Sequence, residues 1–299
     1  MTADSGVSAA FLGMGIMGAS MAANLCRAGF SVNIWNRSPG KPGLKKALAA
    51  GCRGAESIED SVAGGSVIFS CLGDVEGVKA VLAETGGVGD FAPEGALGVD
   101  FSTLRPRAAR EISEALAKAP TRLRFLDAPV TGGDIGAANG TLTIMVGGER
   151  ADFDEALPYL GKMGKVIEYC GPAGSGQALK LANQVLCAVN MLAVSEALSL
   201  AERFAIEPSL VVDVLKEGAG GSWALANLGA RIIKDDLAPG FMLKHMIKDL
   251  RLIHDNAEGA SLNLPAMEMA EAMFKELVEA DGNAAEAFGT QAMIEVYRR

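Results

Sequence analysis

The stretch Ala9-Ala10-Phe11-Leu12-Gly13-Met14-Gly15-Ile16-Met17-Gly18, running on through Ala19 to Ala28, decides the fold. A short apolar strand enters three glycines spaced G-x-G-x-x-G, and an alanine-rich helical segment leaves them. After Gly29 a second apolar strand, Phe30 to Trp35, ends at Asn36-Arg37-Ser38. The glycine spacing alone is weak evidence. Set between a strand and a helix, with a second strand following, it predicts a dinucleotide site. Gly13 permits the tight turn, Gly15 lets a pyrophosphate approach the backbone, and Gly18 lets helix and strand pack closely. The helix N-terminus then offers unpaired N–H groups and partial positive charge to that pyrophosphate. Gly13, Met14, Gly15, Ile16, Met17 and Gly18 are therefore the candidate cofactor loop.

The rest of the 299 residues leaves room for one large or two medium domains around a sizeable core. With 36 acidic against 27 basic residues there is no diffuse basic surface for nucleic acid, and aromatics are too scarce for base-stacking platforms. Cys26, Cys52, Cys71, Cys170 and Cys187 show no paired or CxxC spacing, which predicts reduced thiols and no zinc site. No charged flank and apolar core of a signal peptide precede the loop. The longest apolar stretch, Val185 to Val194, is interrupted by Asn190 and followed by Ser195-Glu196, so it reads as a buried helix rather than a membrane span. A cytoplasmic protein is the expectation.

Strand-like runs recur at Ser66 to Cys71, Ala96 to Phe101, Arg124 to Leu126 and Thr141 to Val146, with helical segments such as Leu104 to Ala117 between them. This alternation predicts an α/β domain with a mostly parallel sheet, whose ligands gather at the carboxyl ends of the strands. Leu72-Gly73 and Ser102-Thr103 fall on that edge. From Gln177 to Phe204 the pattern is one long helix, apolar on nearly every face, and the remainder reads as helices with turns at Gly218 to Gly221, Pro239-Gly240 and Asp281-Gly282. The expected plan is an N-terminal α/β domain over 1–172 and an all-helical domain over 173–299 that includes the long helix. A helix so apolar implies cover from a second subunit, hence a homodimer or homotetramer.

NAD-binding folds carry an acidic residue at the end of the second strand to hold the ribose 2′-hydroxyl. Here Asn36 stands at that place, and Arg37, with Ser38, suits the 2′-phosphate of NADP. At the reacting end, Thr131-Gly132-Gly133 closes Asp127-Ala128-Pro129-Val130 and combines exposed backbone N–H groups with a hydroxyl, a seat for a small carboxylate. Lys180 is a candidate proton-transfer group, since burial would disfavour its charge and bring it into range for acid–base work, the alternative being a lysine whose stem packs while its amine reaches water. Asn183 and Gln184 follow it at i+3 and i+4 on one helix face. The only histidines, His245 and His254, lie in no metal or triad pattern.

Together these segments resemble the β-hydroxyacid dehydrogenases, the family of 3-hydroxyisobutyrate dehydrogenase and tartronate semialdehyde reductase. The resemblance rests on Phe11 to Gly18 with Met21 to Leu25, on Asp100 to Thr103 with Pro106, on Asp127 to Gly133 with Gly140-Thr141-Leu142, on Gly174, Gly176 and Lys180 to Gln184, and on Lys248-Asp249-Leu250. It covers nearly the whole chain. It implies a Rossmann-like domain, a long interdomain helix and a helical C-terminal domain, with reversible NAD(P)-dependent oxidation of a small β-hydroxy carboxylate. Lys180 is then the general acid/base and Asn183 its support. Thr131, Gly132, Gly133 and Gln184 hold the substrate, while Leu72, Gly73, Thr103, Phe241 and Lys248 border the cofactor. No metal is implied.

Three departures stand out: Thr131 where the family usually has Ser, the Asn183-Gln184 pair typical of the tartronate semialdehyde reductase branch, and an unusual tail from Gly282 to Phe288. Imine reductases share the architecture but generally replace the lysine. The alternatives are 3-hydroxyisobutyrate oxidation with NAD, reduction of glyoxylate or succinic semialdehyde, and, from another class, a non-catalytic nucleotide sensor.

Overall fold

The computed structural model describes residues 8–257 and 262–298. The chain divides into two compact units, Met1–Lys180 and Leu181–Arg299. In the first unit, β1 (Ser8–Leu12), β2 (Ser31–Trp35), β3 (Arg53–Gly54), β4 (Gly65–Ser70), β5 (Leu97–Asp100) and β6 (Arg124–Asp127) lie in the order β3-β2-β1-β4-β5-β6. Each neighbouring pair is parallel, and this is the strand order of a doubly wound dinucleotide fold. The strands are short runs of apolar and β-branched residues, and β5 is buried along its whole length, as a strand covered on both faces must be.

The sheet is mostly parallel, as expected, and takes in antiparallel pairs beyond β6. β7 (Val130–Thr131) and β8 (Leu142–Gly147) pair antiparallel, β8 also runs antiparallel to β6, and β9 (Gly164–Gly171) runs parallel to β8. β9 was not legible as a strand because it is mostly uncovered, with exposed Lys165, Val166 and Glu168 breaking any apolar run. A short helix, Gly133–Asn139, follows β7 and ends at Gly140 in the left-handed region.

Under the carboxyl edge, Phe11, Phe69 and Phe101 stack with ring centroids 5.8 to 6.1 Å apart, and all three are buried. Burying one such ring contributes roughly 2–3 kcal/mol, and the trio joins β1, β4 and the end of β5. Cys26 and Cys52 form a disulfide between the end of the helix Ile16–Arg27 and the turn after Pro42–Ala49. This corrects the expectation of five thiols. The βαβ crossover places the two residues side by side with Cα atoms 5.9 Å apart, and a separation of 26 residues leaves no local motif to read.

The long helix Ser175–Arg203 has the length and apolarity of a membrane span by composition. Gln177, Lys180, Gln184 and Ser195 are nevertheless buried along it, as in a core helix of a folded domain. In the second unit, the helices Leu243–Ala257 and Pro265–Ala280 are joined through Glu271, which accepts from His254 and Lys275 at 2.6 Å each.

Candidate active site

The glycine loop is built as its three tasks require. Gly13 adopts φ +97° and its N–H donates to the Trp35 carbonyl at 2.9 Å. A Cβ on Gly18 would run into the Gly13 carbonyl and lie 3.2 Å from the Phe11 ring, whereas a Cβ on Gly15 would meet nothing within 4 Å. The loop thus packs tightly below and is open above, where a pyrophosphate sits on such helix ends. Ile16 and Met17 begin the helix beside that opening and are not buried, while Met14 is 2% exposed beneath it.

Asn36 braces the loop. Its Oδ1 accepts from the Met14 N–H at 2.8 Å and its Nδ2 donates to the Ser38 carbonyl at 2.7 Å. The amide therefore does what a ribose-binding carboxylate cannot do at once: accept from the loop and donate to the following turn. Arg37 and Ser38 are exposed just beyond it. Leu72 lies against Gly13, and its N–H donates to Ser102 Oγ at 2.8 Å, while Gly73 is exposed.

The reacting end is assembled over longer distances in sequence. Asp100 and Asp127 end β5 and β6 as register partners, and both are fully buried. Asp100 Oδ1 accepts from Ser70 Oγ at 2.6 Å and Ser102 Oγ at 2.7 Å. Asp127 accepts from the Gly174 N–H at 2.6 Å and the Gln177 N–H at 2.9 Å, so it caps the start of the long helix. Burial, with nearby Asp100 adding to it, lifts the Asp127 carboxyl to about 7 despite the two N–H donors.

Gln177 completes the clamp. Its Oε1 accepts from the Leu104 N–H at 2.8 Å and its Nε2 donates to the Ser102 carbonyl at 2.9 Å, gripping Thr103 from both sides. Lys180 follows Gln177 by three residues on the same helix and is 6% exposed. The seat expected for a carboxylate, Thr131-Gly132-Gly133, is half-buried, with φ +126° at Gly132 and +64° at Gly133. Asn24 ties this seat to the cofactor helix by donating to the Ala137 carbonyl at 2.9 Å.

In the second unit, Asn183, Gln184 and Lys248 converge on Asp249. Asn183 Nδ2 donates to Gln184 Oε1 at 2.8 Å, Gln184 Nε2 donates to Asp249 Oδ2 at 2.6 Å, and Lys248 Nζ lies 2.8 Å from Asp249 Oδ1. Gln184, assigned above to the substrate, is 1% exposed. The Phe241 ring faces the His245 ring at 6.0 Å.

Sequence reading missed the tasks of Asn24, Asp100, Asp127, Gln177 and Asp249. The readable signal was a carboxylate closing an apolar strand at Asp100 and at Asp127, since a buried charge of that kind needs donors. Among the described residues no group of three His, Cys, Asp or Glu is placed to hold a metal.

A parallel sheet in this order, an open glycine loop and a buried lysine beyond its carboxyl edge define an oxidoreductase that uses a nicotinamide dinucleotide. The family described as the NAD binding domain of 6-phosphogluconate dehydrogenase matches residues 8–171, and the one described as NAD-binding of NADP-dependent 3-hydroxyisobutyrate dehydrogenase matches residues 174–297. The chain belongs to the β-hydroxyacid dehydrogenase family.

It is 45% identical over 289 residues to an uncharacterised oxidoreductase of Synechocystis, covering 97% of each chain. It is 37% identical over 268 residues to 2-hydroxy-3-oxopropionate reductase of Escherichia coli, covering 88% of this chain and 89% of that one. The crystal structure of 3-hydroxyisobutyrate dehydrogenase from Salmonella typhimurium superposes with a TM-score of 0.87 at 28% identity, over 97% of this chain and 99% of that chain. The protein is accordingly an NAD(P)-dependent β-hydroxyacid dehydrogenase.

Proposed function

We propose that the protein is an NADP-preferring enzyme that interconverts a small β-hydroxy carboxylate and its semialdehyde, of the type tartronate semialdehyde to glycerate. The observation that carries this reading is the placement of Lys180, buried one turn beyond a helix start that Asp127 and Gln177 fasten to the carboxyl edge. The similarity to 2-hydroxy-3-oxopropionate reductase, another name for tartronate semialdehyde reductase, supports the choice of acid.

The dinucleotide, when bound, supplies the hydride. The chain's own residues do the rest. Thr131, Gly132 and Gly133 hold the substrate carboxylate and so fix the carbonyl beside Lys180. In the reducing direction, the Lys180 ammonium donates a proton to the carbonyl oxygen and stabilises the negative charge growing there. In the oxidising direction its neutral amine takes the hydroxyl proton. Asn183, one turn further along the helix, supports this group, and Thr103 borders the reacting face. Phe241 and Lys248 are assigned to the cofactor.

The cofactor choice rests on Arg37, exposed at the end of β2 where no carboxylate would repel a 2′-phosphate. Exposed Leu186 and Leu200 on the long helix, with exposed Phe204 just past its end, support assembly as a homodimer or homotetramer, which light scattering reads directly.

The deciding experiment assays the purified protein with tartronate, methylmalonate and succinic semialdehydes and with glyoxylate, each with NADPH and NADH. Tartronate semialdehyde with NADPH is expected to give the highest kcat/KM. Arg37→Ala is expected to lower kcat/KM with NADPH about tenfold or more, the worth of a charge-assisted contact, and to leave NADH nearly untouched. A wild-type preference for NADH overturns the cofactor assignment. Best activity on methylmalonate semialdehyde overturns the substrate assignment in favour of 3-hydroxyisobutyrate chemistry.

A further inference from the structure

The polar chain in the second unit has a direction. A carboxylate only accepts hydrogen bonds, so the Gln184 amide must turn its NH2 toward Asp249, 2.6 Å away. Its carbonyl is then what meets Asn183 at 2.8 Å, and a carbonyl must be met by an NH2. The second hydrogen on Asn183 Nδ2 goes to Cys187 Sγ at 3.3 Å. Both amide hydrogens of Asn183 are thereby spent inside the protein, and its Oδ1 is left as the acceptor it offers outward. One buried carboxylate settles the orientation of two amides. Gln184 and Asp249 are each 1% exposed, so water does not compete for these bonds.

We propose that Asp249, acting through Gln184, is a positioning residue that fixes Asn183 as a hydrogen-bond acceptor, and that this acceptor selects acids bearing a hydroxyl on the carbon next to the carboxylate. Asn183 follows Lys180 by three residues in one continuous helix, so both address the same side. A substrate hydroxyl can donate to Asn183 Oδ1, whereas a methyl group or hydrogen in its place leaves that oxygen without a donor. Selectivity for the 2-hydroxy-3-oxo acid over its unsubstituted counterpart follows. The inference rests on the reading of Lys180 as the proton donor toward a 3-oxo acid.

The test measures kcat/KM for tartronate semialdehyde and for malonate semialdehyde, which lacks the hydroxyl, at saturating NADPH. Comparing two acids in the same variant cancels any common effect through Lys248. In Asp249→Asn the residue can present either end of an amide, and the fixed polarity is lost. The ratio of the two kcat/KM values is expected to fall about tenfold, the worth of one hydrogen bond, through KM for the hydroxylated acid.

Gln184→Glu gives a second readout. Protonated or ionised, a Glu carboxyl at this place still accepts from Asn183 Nδ2, so Asn183 Oδ1 remains the free acceptor and the ratio should stay within about threefold of the wild type. An unchanged ratio in Asp249→Asn, equal losses on both acids, or a ratio in Gln184→Glu that falls as far as in Asp249→Asn overturns the proposal while leaving the reading of Lys180 intact. A wild type that reduces neither acid overturns both.

Discussion

The two ends of the candidate site are built in different ways. The cofactor loop is local: Gly13, Gly15 and Gly18 lie within six residues, and a Cβ on Gly18 would meet Gly13 and Phe11, both close by in sequence, while one on Gly15 would meet nothing within 4 Å. The reacting end is non-local. Lys180 owes its place to Asp127 at the end of one strand and to Gln177, which reaches back to Ser102 and Leu104 in the loop beyond another. A local device can be read from spacing. A device made of hydrogen bonds across some fifty to seventy-five residues cannot, because only the folded sheet brings its parts together.

This contrast predicts that the two ends fail separately. At the loop end the largest effect is expected from Gly18→Val, which would force side-chain atoms into the Gly13 carbonyl and the Phe11 ring. Overpacking of that kind costs about 1–3 kcal/mol, so the Kd for NADPH should rise by up to about a hundredfold. Isothermal titration checks this, and a soluble variant with wild-type affinity would break the loop half of the comparison.

Gln177→Leu should act on the other half alone. It strands the Leu104 N–H and the Ser102 carbonyl, each a loss of about 1–3 kcal/mol in a buried place. A tenfold to hundredfold fall in kcat, as a rough estimate, is expected with the Kd for NADPH changed by less than about threefold. Stopped-flow absorbance and fluorescence titration on the same sample separate the two numbers. A larger change in Kd than in kcat would show that the clamp serves the cofactor rather than Lys180.

The smallest effect concerns Asp127 and pH. Its carboxyl is raised to about 7 by burial, above the value of about 4 for an unfolded chain. Between those values the folded state binds more protons than the unfolded state, so this group's contribution to stability is fullest below about pH 4 and declines as pH rises toward 7. Urea melts at pH 5 and pH 7.5 should show the wild type losing stability relative to Asp127→Asn as pH rises. Parallel pH profiles for the two proteins would contradict this.

The same contrast explains what was legible in the sequence. The parallel half of the sheet, the long helix and Lys180 could be read because each is announced by a run of like residues or by a motif. β9 could not, because its exposed polar residues hide the strand period, nor could the Cys26–Cys52 pairing, which depends on two helices meeting. Asn36 was legible as a departure from the carboxylate rule, but its bracing of Met14 and Ser38 was not. Residues that touch a ligand follow a family's spacing. Those that hold them in place are found where the fold closes.

The most direct test of the account is a single-turnover measurement of NADPH oxidation by saturating tartronate semialdehyde in Lys180→Met, with the Kd for NADPH determined on the same variant. General acid catalysis by one positioned group is worth on the order of 10²–10⁴ in rate. The rate should therefore fall about a thousandfold while the Kd stays within about threefold of the wild type. A rate within about tenfold of wild type would contradict the assignment of Lys180 as the proton donor.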